Sequence, residues 1–240
     1  MEKTLYAELR PQEFRDRLKA CPIAYLPLGT LEWHGEHLPL GADGIQSEGF
    51  FKVLAQKLGG IVMPMLFLGP DRHTSDDSAD FYGMDLWGKE PKQLDGSAYW
   101  IKDEIFKELL ESTLYQLKRA GFKIVVAHGH GPSTMHFQNN QKEWSEKFGL
   151  QLFNCWGSDS DKDGLGIQVD HAAMNETSLM MAIRPDLVDM KALPENLDEW
   201  PEAIGGKDPR VHASQTLGEK IIKIQADRMI KLLEKAIEQL

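Results

Sequence analysis

Cysteine is almost missing from this chain: 240 residues hold two, Cys21 and Cys155. Two thiols build neither a disulfide framework nor a cysteine-rich zinc site, and a reducing cytoplasm is the expected compartment. Basic charge is scarce as well. Lys and Arg number 27 against 37 Asp and Glu, a net charge of -10. A polyanion is attracted neither to nucleic acid nor to an anionic membrane, so neither is an expected partner. No apolar stretch approaches the roughly 20 residues that cross a bilayer. The start, Met1-Glu2-Lys3-Thr4, carries an acid and leads into no apolar run, so no leader is expected there. Repeats, low-complexity tracts and inter-domain linkers are lacking too. With 42% apolar and 27% charged residues, disorder, collagen and coiled coil are excluded. The length suits one core, and residues 1–240 are expected to form a single domain.

What the chain does have is an alternation of short apolar runs with longer amphipathic ones, the pattern of an α/β fold with a largely parallel sheet. Helices are expected at Pro11–Ala20, Asp43–Leu58, Ile101–Ala120, Ser133–Phe148, His171–Ile183 and Thr216–Gln239. Asp43 and Ser133 or Thr134 serve as N-caps in this reading, and Gly59-Gly60, Gly121 and Gly149 as stops. Strands are expected at Ile23–Gly29, Ile61–Leu68, Phe122–Ala127 and Leu150–Cys155. Pro27 places the first near a sheet edge or a strand end. Three long connections, His73–Ala98, Gly157–Val169 and Lys191–Ala213, have the length of lids, binding loops or oligomer contacts.

Three clusters carry chemistry. The first is Gly29-Thr30-Leu31-Glu32-Trp33-His34-Gly35-Glu36-His37-Leu38-Pro39-Leu40-Gly41-Ala42-Asp43, just after the first expected strand. Ligand sites of α/β sheets collect at such ends. In extended backbone Glu32 and His34 project to one side, where a carboxylate and an imidazole suit zinc or manganese. Spacing alone leaves open a solvated loop with Asp43 merely capping a helix. The second cluster is His128-Gly129-His130-Gly131-Pro132-Ser133, at the end of the clearest strand. Local capping or hydrogen bonding suits His128 better than His130, and His136 reads as an ordinary helical residue. The third runs from Asp170-His171 to Glu176-Thr177-Ser178. His171 and Glu176 can border one cleft, although, taken alone, a capped helix with an exposed acid explains them better.

Together the three clusters resemble the creatininase (creatinine amidohydrolase) family. The first resembles its long motif from Pro27 to Asp43. The second keeps Gly129, His130 and Gly131 of an Asn-Gly-His-Gly-Gly-Asn motif. The third keeps His171, Ala172, Glu176, Thr177 and Ser178. The resemblance implies a three-layer α/β/α fold with a mostly parallel sheet and two divalent metal ions per chain, zinc first, with manganese or iron as alternatives. It implies that Glu32 and His130 hold one metal, that His34 and Glu176 hold the other, and that Asp43 bridges both. It makes His171 the acid–base group, with Glu176 beside it as a further catalytic residue, and puts His37 behind the ligands. The implied activity is hydrolysis of a C–N bond in a small, cyclic amide by a metal-activated hydroxide. The alternative is metal-dependent ring opening of a cyclic ketone or lactone derived from a cyclitol or sugar. The implied assembly is a homo-oligomer, a hexamer in several members. His128, Pro132 and Ser133 depart from the second motif, and Ala173 and Met174 from the third. Creatininase itself has a metal-binding Glu at the place of Pro132, which argues against creatinine as the substrate. The segment His73–Trp87 matches the family loosely.

Other motifs compete. Asp159-Ser160-Asp161-Lys162-Asp163-Gly164 opens like a calcium loop, and Asp170 falls at its twelfth position. An apparent strand where a helix is needed favours a solvated acidic loop. Asn175-Glu176-Thr177 is a sequon that matters only in a secreted protein. Trp33, Trp87, Trp100 and Trp156 could wall a planar ligand, although core or oligomer packing explains any one of them. The last helix carries enough apolar residues to pack on the domain or on another subunit. A binding protein without turnover remains the reading from a different class.

Overall fold

In the computed structural model, which describes residues 3–77 and 79–240, apolar alternation along two strands decides the layering. The start Met1-Glu2 and Ser78 of the His73–Ala98 loop lie outside the described residues. The elements are α1 (Pro11–Ala20), β1 (Ile23–Leu28), α2 (Ala42–Lys57), β2 (Ile61–Val62), β3 (His73–Ser75), β4 (Asp80–Tyr82) and α3 (Asp103–Ala120). They continue with β5 (Ile124–Gly129), α4 (Gly131–Phe148), β6 (Gln151–Phe153), α5 (Met174–Ile183), α6 (Pro209–His212) and α7 (Gln215–Ile237). Ile23, Tyr25, Ile124 and Val126 face one side, where they meet Phe50, Phe51 and Leu54 of α2 and Ile221, Met229 and Leu233 of α7. Ala24, Leu26, Leu28, Val125 and Ala127 face the other, against Phe106, Leu110 and Leu114 of α3 and Phe137 and Trp144 of α4. Both faces are covered, which is why the strands read as unbroken apolar runs. The result is the expected α/β fold with helices on both sides of the sheet.

The central sheet has the order β2-β1-β5-β6, and each neighbouring pair is parallel. From β1 the chain winds through α2 to β2 on one side. From β5 it winds through α4 to β6 on the other. The winding reverses between β1 and β5, so the loops leaving these two strands part and open a crevice at their carboxyl ends. A small antiparallel hairpin, β3 with β4, lies outside this sheet.

Several boundaries differ from the sequence reading. Helix α1 falls where expected, but β1 is an interior strand, and Pro27 is tolerated because it stands next to the strand's last residue. The strand expected at Ile61–Leu68 pairs regularly only at Ile61–Val62. Pro64 lacks the amide a ladder needs, and contact with β1 resumes at Leu66, whose N–H reaches Pro27 O at 3.0 Å. Gly41, not Asp43, precedes the first turn of α2, and His130, not Ser133 or Thr134, precedes α4. Helix α3 begins at Asp103 and not Ile101, and α5 begins at Met174, three residues after His171. His171 instead pairs through both backbone groups with Gly205, at 2.9 Å each way, and Ala172 follows with φ +51°. Among the described residues no helix is long and apolar enough to cross a membrane.

Candidate metal centre

The crevice gathers its polar groups from three chain segments. The loop leaving β1 brings Glu32 and His34, and the first turn of α2 brings Asp43. His130 arrives directly from β5. Its backbone N–H reaches Leu28 O at 2.7 Å, because Gly129 lets the two strand ends approach. Gly129 has φ +153°, and a Cβ there would stand 1.8 Å from Leu28 O, so no other residue fits. Glu176 enters from the first turn of α5.

All five side chains are almost fully buried. His34 Nε2 lies 3.4 Å from Asp43 Oδ1 and 3.7 Å from Glu176 Oε2. His130 Nδ1 lies 3.1 Å from Asp43 Oδ2 and 3.4 Å from Glu32 Oε2. Asp43 therefore turns one oxygen toward each imidazole. Two triads, Glu32–Asp43–His130 and His34–Asp43–Glu176, share it, and each keeps its ligand atoms within 4.8 Å of one another. A third grouping joins Glu32 and His34 to His171.

These spacings suit cations. Two donors each about 2.1 Å from one ion at a tetrahedral angle stand about 3.4 Å apart. His34 Nδ1 donates to Glu32 O at 3.0 Å, so in the neutral ring Nε2 bears the lone pair. That nitrogen is buried and has no hydrogen-bond partner among the described residues, a costly condition unless a ligand relieves it. The residues present thus fit a pair of divalent ions.

Protonation tells the same story. Burial disfavours the charged form of His34, yet Asp43 and Glu176 overcome it and lift the imidazole to about 10. His130 is likewise pushed well above its ordinary value against burial, chiefly by Glu32. Burial also opposes the charges of Glu32 and Asp43, and the facing imidazoles nonetheless hold both carboxyls below their usual range. Glu176 goes the other way, raised by burial and then by Asp43. Without metal the cluster holds protons where cations would sit, and metal binding releases them.

Around the ligands stand residues that fix their orientation. Gln168 Nε2 donates to Asp43 Oδ1 at 3.1 Å and to Asp43 O at 3.0 Å, while Ser47 Oγ donates to Gln168 Oε1 at 2.8 Å. Asp170 accepts from the backbone N–H of Asn175 at 2.7 Å and of Glu176 at 3.1 Å, which secures the first turn of α5. Asp71 Oδ2 lies 3.3 Å from His130 Nε2. Sequence reasoning missed Asp71 and Gln168 and read Asp170 only as the twelfth position of a disfavoured calcium loop. The available signals were Asp71 directly after Gly69-Pro70 and Asp170 directly before His171.

His37 contacts Thr177 Oγ1 through Nε2 at 2.8 Å. Burial, with His34 nearby, pushes it down to about 4, so it stays neutral. His171 donates through Nε2 to Trp33 O at 2.9 Å, and its ring lies 4.5 Å from that of His34. His171 also lines an open cleft of about 610 Å³, together with Trp87, Trp156, Gln168 and Asp170. Of the other tryptophans, Trp33 is buried and donates to Glu202 O at 3.2 Å, and Trp100 lies 5.6 Å from the His130 ring. His128 takes the non-metal course, its Nε2 donating to Ile167 O at 3.0 Å.

The competing motifs are spent on structure. Asp161 accepts from the backbone N–H of Gly157 and Ser158, and Asp170 from α5, so two of the four acids that a calcium loop would use are turned to backbone. Asn175 is fully buried, with its amide donating to Gly164 O and Gly166 O, which leaves the sequon inaccessible.

Comparison with known proteins follows from this geometry. The family model described as Creatininase: Creatinine amidohydrolase matches residues 7–233. Creatinine amidohydrolase of Pseudomonas putida is 26% identical over 212 residues, 79% of this chain and 76% of that protein. A 3-dehydro-scyllo-inosose hydrolase of Thermotoga maritima is 26% identical over 121 residues, 50% of this chain and 33% of the relative. A solved structure named Creatininase Mn superposes with a TM-score of 0.72 at 21% identity, covering 98% of this chain and 99% of that one.

Proposed function

Because the chain belongs to the creatininase family of amidohydrolases, we propose that its crevice is a two-metal site that hydrolyses a C–N bond of a small, cyclic amide. The observation that carries this reading is the pair of buried triads sharing Asp43, with His34 Nε2 left unpartnered between two carboxylates. Glu32 and His130 would hold one cation and His34 and Glu176 the other, with Asp43 serving both. Mixed carboxylate and imidazole donors suit zinc or manganese. When bound, the cations supply water activation and carbonyl polarisation.

The chain's own residues do the rest. Gln168 fixes the Asp43 carboxylate so that its two oxygens diverge. His171 is anchored through Nε2 on Trp33 O, which leaves Nδ1 as its working atom. Burial and the neighbouring His34 hold His171 below its usual value, so it enters the cycle neutral, as a base. It takes the proton that the attacking water loses and returns it to the departing nitrogen, which otherwise leaves poorly. Trp87 and Trp156 wall the cleft on the His171 side.

A second reading has its own support in the inosose hydrolase relative. Ring opening of a cyclic ketone uses the same polarised carbonyl. One experiment separates the two: elemental analysis of the purified chain, then assay of amine or acid release from cyclic amides, cyclic ketones and lactones. The expected result is two metal equivalents per chain and turnover of a cyclic amide. Turnover confined to ketones or lactones replaces the first reading with the second. A chain that binds no divalent ion defeats both.

A further inference from the structure

The geometry points to Asp71 as a positioning residue that holds the outer nitrogen of His130. This rests on the two-metal reading above. His130 Nε2 faces two acceptors, Asp71 Oδ2 at 3.3 Å and Pro70 O at 3.3 Å. Neither has a proton to give, so Nε2 carries the hydrogen. Nδ1, which faces Asp43 and Glu32, is then the nitrogen that would exchange its proton for a cation. A carboxylate behind a ligating histidine fixes its ring orientation and makes the ligating nitrogen more basic.

Asp71 is built for this place. Its Oδ1 accepts from the adjacent Arg72 N–H at 2.6 Å, which turns Oδ2 toward the ring, and the side chain is only 6% exposed. The loop after β4 makes room for it. Gly83 has φ +53°, and a Cβ there would stand 2.9 Å from Asp71 Oδ2 and 2.8 Å from Glu32 Oε1. The same glycine thus leaves space for two of the three carboxylates that face His130.

The test compares full-length wild type with Asp71→Ala and Asp71→Asn. Each chain is freed of metal, then titrated with zinc against a chromophoric chelator, and its metal-free melting temperature is recorded. Wild type is expected to bind two equivalents. In Asp71→Ala one equivalent weakens 10–100-fold, the other stays within about twofold, and the metal-free melting temperature is unchanged. Asp71→Asn keeps an acceptor without the charge and falls between the two. It also carries the test if Asp71→Ala does not fold. With cadmium as probe, wild type is expected to give two ¹¹³Cd resonances, of which Asp71→Asn shifts one. Both equivalents at wild-type affinity with unmoved resonances would overturn the assignment. So would equal weakening of both equivalents alongside a lower melting temperature. A wild-type chain that takes up no zinc removes the metal reading, and this assignment falls with it.

Discussion

Two clefts of nearly equal volume lie at opposite ends of the sheet, and they differ in whether their charges are already answered. One, about 630 Å³, is lined by residues preceding β1 and β2, among them Lys3, Glu13, Arg17, Cys21 and Gly59. The other, about 610 Å³, opens beside His171 where the chain has left the strands. In the first, Arg17 donates to Gly60 O at 2.8 Å and to Ala55 O at 3.2 Å, and Lys3 meets Glu13 at 3.3 Å. Beside the second, imidazoles and carboxylates crowd within 3.1–3.7 Å, and one buried nitrogen has no partner. Volume therefore does not mark the working end. Groups that cannot satisfy one another without an added cation do.

The sharpest way to break this contrast is to remove the shared ligand. Asp43→Ala is expected to lose both metal equivalents and to lower turnover by on the order of 10³-fold or more. Elemental analysis and the substrate assay check it together, and full metal content in the variant would contradict the site. Next in size, His171→Asn should keep both metals while kcat falls about 10²–10⁴-fold. Lost metal in that variant would recast His171 as a ligand. At the opposite cleft the signature should invert. Arg17→Ala leaves the carbonyls of Gly60 and Ala55 without their donor and should cost about 2–3 kcal/mol of stability in urea. Metal content and kcat at folding temperatures should stay as in wild type. A change in either would mean that the two ends are coupled.

How much of this contrast the sequence discloses depends on whether a residue acts directly or through another. Glu32, His34 and Asp43 lie within twelve positions of each other, and all three meet at the centre. Their motif is legible because it is local. The error at Asp43 has a physical cause. Helix α2 starts at Ala42 after Gly41, and the Asp43 carboxylate is drawn across the crevice to His130 and away from capping. His171 was misplaced into α5 because its pairing with Gly205 and the turn at Ala172 are long-range events without periodicity. Asp71 and Gln168 reach the centre only through His130 and Asp43, from connections whose composition says little. His128 and His130 are the hardest pair. Two apart at the end of β5, they would share a face if the strand ran on, but Gly129 at φ +153° breaks the alternation between them. His130 is thereby sent into the crevice, while His128 points to Ile167.

That pair supplies the smallest effect and the finest division of the comparison. Burial pushes His128 down to about 4 from an ordinary 6.5. Between those values the unfolded chain binds a proton that the folded chain refuses. Stability from this group is therefore lost as pH falls from about 6.5 toward 4. His37, also held at about 4, contributes in the same direction, whereas His34 and His130, raised by their carboxylates, contribute with opposite sign. Replacing His128 with Gln isolates one contribution, since the amide can still donate to Ile167 O but does not titrate. Urea unfolding of both metal-free chains at pH 7 and pH 5 should show wild type losing about 2 kcal/mol more than His128→Gln. Equal losses in the two chains would mean that His128 accepts its proton in the folded state. The strand end would then carry two charged histidines, and the distinction between a structural and a ligating imidazole on β5 would be gone.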